Sequence, residues 1–154
     1  MPIQASFSVD IAAPMAVVWD VMLDFPAYGQ WNPFIVEVMG GVRRVEVGQH
    51  LGLRVRWKDG TEVTSGECIT CVDAPAQRDG RQTAELAYRF TGALHTLNLV
   101  RAIRTQRLTA KDGATTRYET REGFSGLFRS GVPLDKVQDG FERHARALKA
   151  RAEL

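Results

Sequence analysis

The sequence predicts an α+β fold. A curved antiparallel sheet of six or seven strands wraps around a long C-terminal helix, and two short helices follow the first strand. Three observations predict this. Val137, Phe141, His144 and Leu148 follow one another at steps of four, three and four, one stripe of a helix running from Pro133 to about Arg151. Nearly everything between residues 34 and 128 reads as strand. Short turns join those strands, which favours an antiparallel meander over βαβ units. A helix of that length spans roughly 28 Å, and its apolar stripe needs a sheet to cover it.

Taken in order, Phe7, Val9 and Ile11 alternate with Ser8 and Asp10 as a first strand. Ala13-Pro14 opens a helix to about Leu23, with Met15, Val18, Trp19, Met22 and Leu23 as its apolar face. Asp24-Phe25-Pro26 ends it, because the residue before a proline disfavours the helical region. A short second helix or turn covers Ala27 to Trp31, and Trp31-Asn32-Pro33-Phe34 hinges into the sheet. The second strand is expected from about Ile35 to Val45. The third, Gln49 to Trp57, alternates Leu51, Leu53, Val55 and Trp57 against His50, Arg54 and Arg56. Lys58-Asp59-Gly60-Thr61 supplies hairpin chemistry. The fourth strand covers Glu62 to Val72, and Asp73-Ala74-Pro75 is expected to stop it. After Arg78-Asp79-Gly80 comes a fifth strand with Leu86, Tyr88 and Phe90 on one face. Thr91 to Thr96 connects to strands at Leu97–Ala110 and Thr115–Leu127. In the last helix Asp135 lies near the N-terminus and Arg143, Arg146, Lys149 and Arg151 toward the C-terminus, as the dipole favours.

Length and composition bound the reading. The 154 residues suit one domain, 1–154, with a real core, and 44% hydrophobic with 25% charged residues is ordinary for a globular protein. Residues 1–76 carry five Arg/Lys against nine Asp/Glu, while residues 77–154 carry fifteen against nine. This asymmetry could favour an anionic partner or ligand, but the arginines of the second half are spread out among glutamates, so a solvated face is the favoured reading. No apolar run reaches the roughly 18 residues of a spanning helix. The opening residues lack a charged-then-apolar leader, and a cytoplasmic location is the expectation. Cys68 and Cys71 fit a reducing compartment.

Charge matching sets the last hairpin. A loop of Asp112-Gly113-Ala114 puts Leu108 opposite Tyr118, Arg107 opposite Glu119, Gln106 opposite Thr120 and Arg104 opposite Glu122. A two-residue loop sets Arg104 against Arg121 instead. On the last strand Arg117, Glu119, Arg121 and Ser125 look solvated, so Tyr118, Thr120, Glu122 and Phe124 face the helix. Glu122, Arg104 and Gln106 then point inward together, which a dry core does not easily accept. Two readings stay open: a wet or ligand-accessible cavity, or a satisfied ion pair closing one end of an ordinary core.

The chain now resembles a known family. The stretches that carry the resemblance are Ala13-Pro14 to Trp19, Asp24-Phe25 to Phe34, Glu122-Gly123-Phe124-Ser125-Gly126-Leu127 and Gly140-Phe141-Glu142-Arg143. Together with the order of elements they resemble the START-like, Bet v 1-like helix-grip superfamily, and within it the bacterial SRPBCC or polyketide cyclase/dehydrase-like proteins. The resemblance covers essentially the full length; it is specific for fold and weak for function. It implies a cavity between helix and sheet for a hydrophobic or amphipathic small molecule. The implied lining is Trp31 and Phe34 with Leu53, Val55 and Trp57. Leu86, Tyr88 and Phe90 join from the fifth strand, and Arg104 and Gln106 from the sixth. Tyr118, Thr120, Glu122 and Phe124 come from the seventh, and Val137, Phe141, His144 and Leu148 from the helix. His144 stands where many such proteins carry an apolar or amide residue.

Candidate chemistry is sparse. Cys68-Ile69-Thr70-Cys71 is a CxxC, but residues three apart on a strand point to opposite faces, so it reads as inert and not as metal or redox. His144 is either a satisfied core histidine or a pocket group that shuttles a proton. His50 and His95 receive no role. Glu122 with Arg104 is the one acid/base candidate. Gly123-Phe124-Ser125-Gly126 is not a nucleophile elbow, and no P-loop or GxGxxG is present. No metal and no cofactor are expected. Three functions remain: a binding protein for a lipid, polyketide or aromatic ligand, which the sequence favours; a cyclase/dehydratase using Glu122; and a co-chaperone-like protein-binding module. No nucleic acid and no membrane span are expected, and a homodimer is left open.

Overall fold

The computed structural model describes residues 3–40, 44–92, 97 and 99–154. Strand β1 (Ile3–Ile11) leads into α1 (Met15–Leu23), a 3₁₀ turn (Phe25–Ala27) and α2 (Tyr28–Trp31). Strands β2 (Ile35–Met39), β3 (His50–Arg56) and β4 (Glu62–Arg78) follow, then β5 (Arg81–Phe90), β6 (Arg101–Ala110) and β7 (Thr116–Ser125). A second 3₁₀ turn (Arg129–Gly131) precedes the long helix α3 (Leu134–Ala152). The strands form one sheet in the order β1-β7-β6-β5-β4-β3-β2, antiparallel throughout. Among the described residues no helix is long and apolar enough to cross a membrane.

The register of β6 on β7 pairs Arg104 with Glu122, Gln106 with Thr120, Arg107 with Glu119 and Leu108 with Tyr118, as the charges dictate. The α3 stripe is buried at Val137, Phe141, His144 and Leu148. The same helix also covers the free edge of β1, which would otherwise offer unpaired backbone groups. Gln138 accepts from the Ser6 N–H at 3.0 Å and donates to the Ser6 carbonyl at 2.5 Å. Glu153 accepts from the Ala12 N–H at 2.7 Å, and Lys149 donates to the Asp10 carbonyl at 3.0 Å.

The hinge before β2 is built by side chains. Asn32 Oδ1 accepts from the N–H groups of Phe34 and Ile35 at 2.9 and 3.0 Å, which turns the chain into the strand. Arg143 ties α3 to this hinge by donating to the carbonyls of Pro33 at 2.9 Å and Arg56 at 3.0 Å. Gly140 lies under the Phe34 ring. A Cβ there would fall 2.1–2.7 Å from three ring carbons, so only glycine lets the ring seat on the helix.

The structure corrects several expected boundaries. Strand β4 does not stop at Val72 but runs through Asp73-Ala74-Pro75 to Arg78. Its register skips between Asp73 and Ala76, so the ladder omits Pro75, which has no N–H to donate. Strand β2 ends at Met39, short of Val45, and β6 begins at Arg101, not Leu97. The expected Thr91–Thr96 connection, with His95, falls largely outside the described residues. Asp79 and Gly80 both take positive φ, 52° and 76°, the geometry of a two-residue hairpin turn between β4 and β5.

Candidate functional site

A cavity of about 370 Å³ lies between α3 and the concave face of the sheet. That size falls within the usual range for small-molecule sites. From the sheet it is lined by Leu53 and Val55 of β3, Tyr88 and Phe90 of β5, and Ala102 and Arg104 of β6. Glu122 and Phe124 of β7, Val137 and Phe141 of α3, and Phe34 and Trp57 complete the inner wall. Eleven of the eighteen residues expected from the sequence therefore meet around one space.

The other seven do not line it. Leu86, Gln106, Tyr118, Thr120, His144 and Leu148 lie beyond Arg104, where the helix and sheet close on each other, and Trp31 is half-buried against Tyr28 and His144 and lines a separate cleft. Gln106 accepts from the Tyr118 hydroxyl at 2.6 Å, and Thr120 and His144 hold Arg104 from behind. Leu86 and Leu148 are fully buried core. The expected residues share the correct face, but that face is part cavity and part filled core.

The sequence reading also missed lining residues. Val63, Ser65 and Glu67 alternate inward along the first half of β4. Their pairing with Val55, Leu53 and Leu51 was the signal available, since paired residues share a face. Ile35, Val100 and Phe128 also contribute, as do Gly131, Val132 and Pro133 of the β7–α3 loop. Loop residues carry no periodicity by which to place them.

Arg104 is fully buried, and each of its nitrogens is engaged. Nε donates to Thr120 Oγ1 at 3.0 Å, Nη1 to the Tyr88 hydroxyl at 3.0 Å and Nη2 to His144 Nδ1 at 3.2 Å. Its guanidinium also lies 4.2 Å from the centre of the Phe141 ring, a cation–π contact. Burial opposes its charge, but the oxygens of Tyr88, Tyr118 and Glu122 more than offset that and keep it protonated.

A direct ion pair between Glu122 and Arg104, one of the two readings the sequence left open, is not formed. Among the described residues the Glu122 carboxyl has no hydrogen bond or ion pair, although it is Arg104's neighbour across the ladder. Its remaining accessible surface faces the cavity. Burial pushes its pKa up to about 7, against the pull of Arg104. Glu67, the second carboxyl in the cavity wall, accepts from Ser65 Oγ at 2.9 Å. Burial and the facing Glu122 charge push it up to about 8. With two carboxyls in one space, the charge on the first to ionise makes the second harder to ionise.

His144 is held neutral. Burial and the Arg104 charge drive its pKa well below the usual value. Its ring is boxed by Tyr28 and Trp31 edge-on and Tyr118 face-on. It supports Arg104 from behind and does not reach the cavity.

The CxxC reading needs one correction. A bulge at Thr70 shifts the register, so Cys68 pairs with Arg89 and Cys71 with Ala87, two residues apart on one face. The two cysteines therefore share the outer face, not opposite faces. Both are free thiols. Cys71, Asp73 and Glu85 are the one trio of potential metal ligands that gathers among the described residues. Burial first, then Asp73 and Glu85, push the Cys71 thiol up to about 12, so it keeps the proton a metal would have to displace.

The sequence matches the model of the family described as polyketide cyclase / dehydrase and lipid transport over residues 2–153. The chain belongs to that family. Its fold is similar to ginseng major latex-like protein 151 from Panax ginseng, with TM-score 0.75 at 13% identity, covering 99% of this chain and 98% of that one. It is similar to a START superfamily protein from Mycobacterium smegmatis, with TM-score 0.69 at 20% identity and 97% of each chain covered. It also matches the di-domain ARO/CYC BexL from the BE-7585A biosynthetic pathway, with TM-score 0.62 at 17% identity, covering 99% of this chain and 49% of that one. At such identities the likeness is one of fold. No curated protein matches the sequence.

Proposed function

We propose that this protein binds a hydrophobic or amphipathic small molecule, of lipid, polyketide or aromatic type, in the cavity between α3 and the sheet. The observation that carries this reading is an apolar space of about 370 Å³ into which the unpartnered Glu122 carboxyl projects. Glu122 is half-buried, and its unpartnered carboxyl offers a polar ligand group an acceptor inside an otherwise apolar space. The cavity also favours a small-molecule role over a protein-docking one, which needs no interior space.

Native mass spectrometry of the purified protein tests the proposal. A co-purified small molecule, lost when Val55→Trp fills the cavity, is the expected result. A bare protein that also fails to take up a neutral fluorescent apolar probe would contradict it. A second reading, acid/base catalysis by Glu122, is favoured by its pKa of about 7 beside a fixed cation. The family description, polyketide cyclase / dehydrase, gives that reading a chemical direction, cyclisation or dehydration of a polyketide. It expects Glu122→Gln to abolish turnover while leaving ligand uptake intact.

A further inference from the structure

The polar groups of the cavity are unequal, and the inequality selects a ligand class. Arg104 is the one cation among the described lining residues. Its three nitrogens already serve Thr120, Tyr88 and His144, and its face is taken up by Phe141. Two of its five N–H groups, one on Nη1 and one on Nη2, remain unspent. The carboxyls are placed differently. Glu122 has no partner, and only one Glu67 oxygen is taken, by Ser65. The acceptor capacity left over in this cavity therefore lies mainly on two acids. The Tyr88 hydroxyl accepts from Arg104 and keeps its own proton for one neutral acceptor, such as a carbonyl.

Resting on the ligand-binding reading above, we infer that the polar end of the ligand is a hydrogen-bond donor, a hydroxyl, phenol or amine, received by the Glu67 and Glu122 carboxyls. Carboxylate- and phosphate-headed lipids are disfavoured by the same pair once both carboxyls are ionised. An anion entering this space then meets two carboxylates against one guanidinium. Like charges in a desolvated space repel strongly, so discrimination against the anion is built in.

Calorimetric titration at about pH 8.5, where both carboxyls are largely ionised, tests this with three probes of one shape: naphthol, naphthoate and methylnaphthalene. The expected result is naphthol bound at least about tenfold more tightly than naphthoate, a difference of about 1.4 kcal/mol. In a Glu67→Gln/Glu122→Gln double variant that preference should shrink to about twofold, since the repulsion is removed and neutral amides remain. Naphthoate binding as tightly as naphthol to the unaltered protein overturns the inference, and this arm needs no variant to fold. If methylnaphthalene binds while naphthol gains nothing over it, the donor assignment fails and the cavity reading stands. If none of the three binds, the cavity reading itself fails.

Discussion

Nη2 of Arg104 lies 3.2 Å from Nδ1 of His144, across the seam between β6 and α3. A guanidinium has only donors, so Nδ1 must accept, and the imidazole is the neutral tautomer with its proton on Nε2. The depressed pKa of His144 agrees, because burial and the Arg104 charge both oppose a second proton. The contact places a histidine as the rear support of the cavity's cation.

Removing that support should be expensive. His144→Ala leaves one Arg104 nitrogen without an acceptor and opens a void beside Tyr118 and Trp31. Losing a buried hydrogen bond to a charged group typically costs about 1.5–3 kcal/mol. Urea unfolding should show a loss of that order, with His144→Gln closer to the unaltered protein because its amide oxygen can still accept. Equal stability of the alanine variant and the parent would show that Arg104 is held by its other partners alone.

The carboxyls predict a stability that falls on the alkaline side. Glu67 and Glu122 have folded pKa values of about 8 and about 7, above the ordinary 4.5, so the folded state holds protons that the unfolded chain releases. Their contribution is fully present below pH 4.5 and is lost as pH rises through about 7 and 8. His144 acts with the opposite sign. Its depressed pKa gives stability that is complete above 6.5 and lost on acidification, so it is silent in the alkaline window. One proton per pH unit is about 1.4 kcal/mol. Denaturant titrations between about pH 6.5 and pH 8.5 should therefore lose about 2–3 kcal/mol. The Glu67→Gln variant should flatten that slope.

Much of this was legible in the sequence, for definite reasons. Charge complementarity set the β6–β7 register, because Arg107 and Glu119 meet in only one alignment. The four-three-four spacing on α3 gave the buried face. It did not say how far along that face the core is filled, since periodicity reports direction and not depth. Hence His144 and Leu148, on the same stripe as Val137 and Phe141, lie outside the cavity lining. Glu67 was missed because it belongs to the first half of β4, a strand read as one regular run. The bulge at Thr70 resets the alternation, so no single period fits both halves. The same bulge put Cys71 on the face assigned to Cys68.

Gly140 offers a test of the helix–hinge seam. Alanine is the better helix former by about 1 kcal/mol. Its Cβ, however, would sit 2.1–2.7 Å from Phe34 ring carbons, and the ring would have to move. Overpacking of this kind costs about 1–3 kcal/mol, so Gly140→Ala should lower stability despite the propensity gain. Because Phe34 lines the cavity, uptake of an apolar probe should weaken at the same time. A thermal melt and a probe titration on one preparation check both effects.

The thiols should be slow. Cys71 is pushed up to about 12 by burial, Asp73 and Glu85, and Cys68 is buried. Thiolate is the reactive form, so labelling of both cysteines by a disulfide reagent at neutral pH should lag far behind that of a free thiol. Unfolding in denaturant should restore ordinary rates. Rapid labelling of Cys71 in the folded protein would mean that its acidic neighbours do not hold the proton.

Ala102 allows the cavity to be closed without touching its polar groups. It lies two residues from Arg104 on β6, so its side chain projects from the same face, and it lines the cavity as a single methyl. A larger side chain there extends into open space, whereas at Leu86 or Leu108 it would meet filled core. Cavity filling commonly adds about 0.5–2 kcal/mol of stability. Ala102→Leu should therefore leave the melting temperature unchanged or raise it by a few degrees. It should also weaken uptake of a neutral apolar probe by about tenfold or more, which is about 1.4 kcal/mol. The two readouts move in opposite directions only if the space beside Ala102 is where the ligand sits. Lower stability with intact uptake would place the ligand elsewhere.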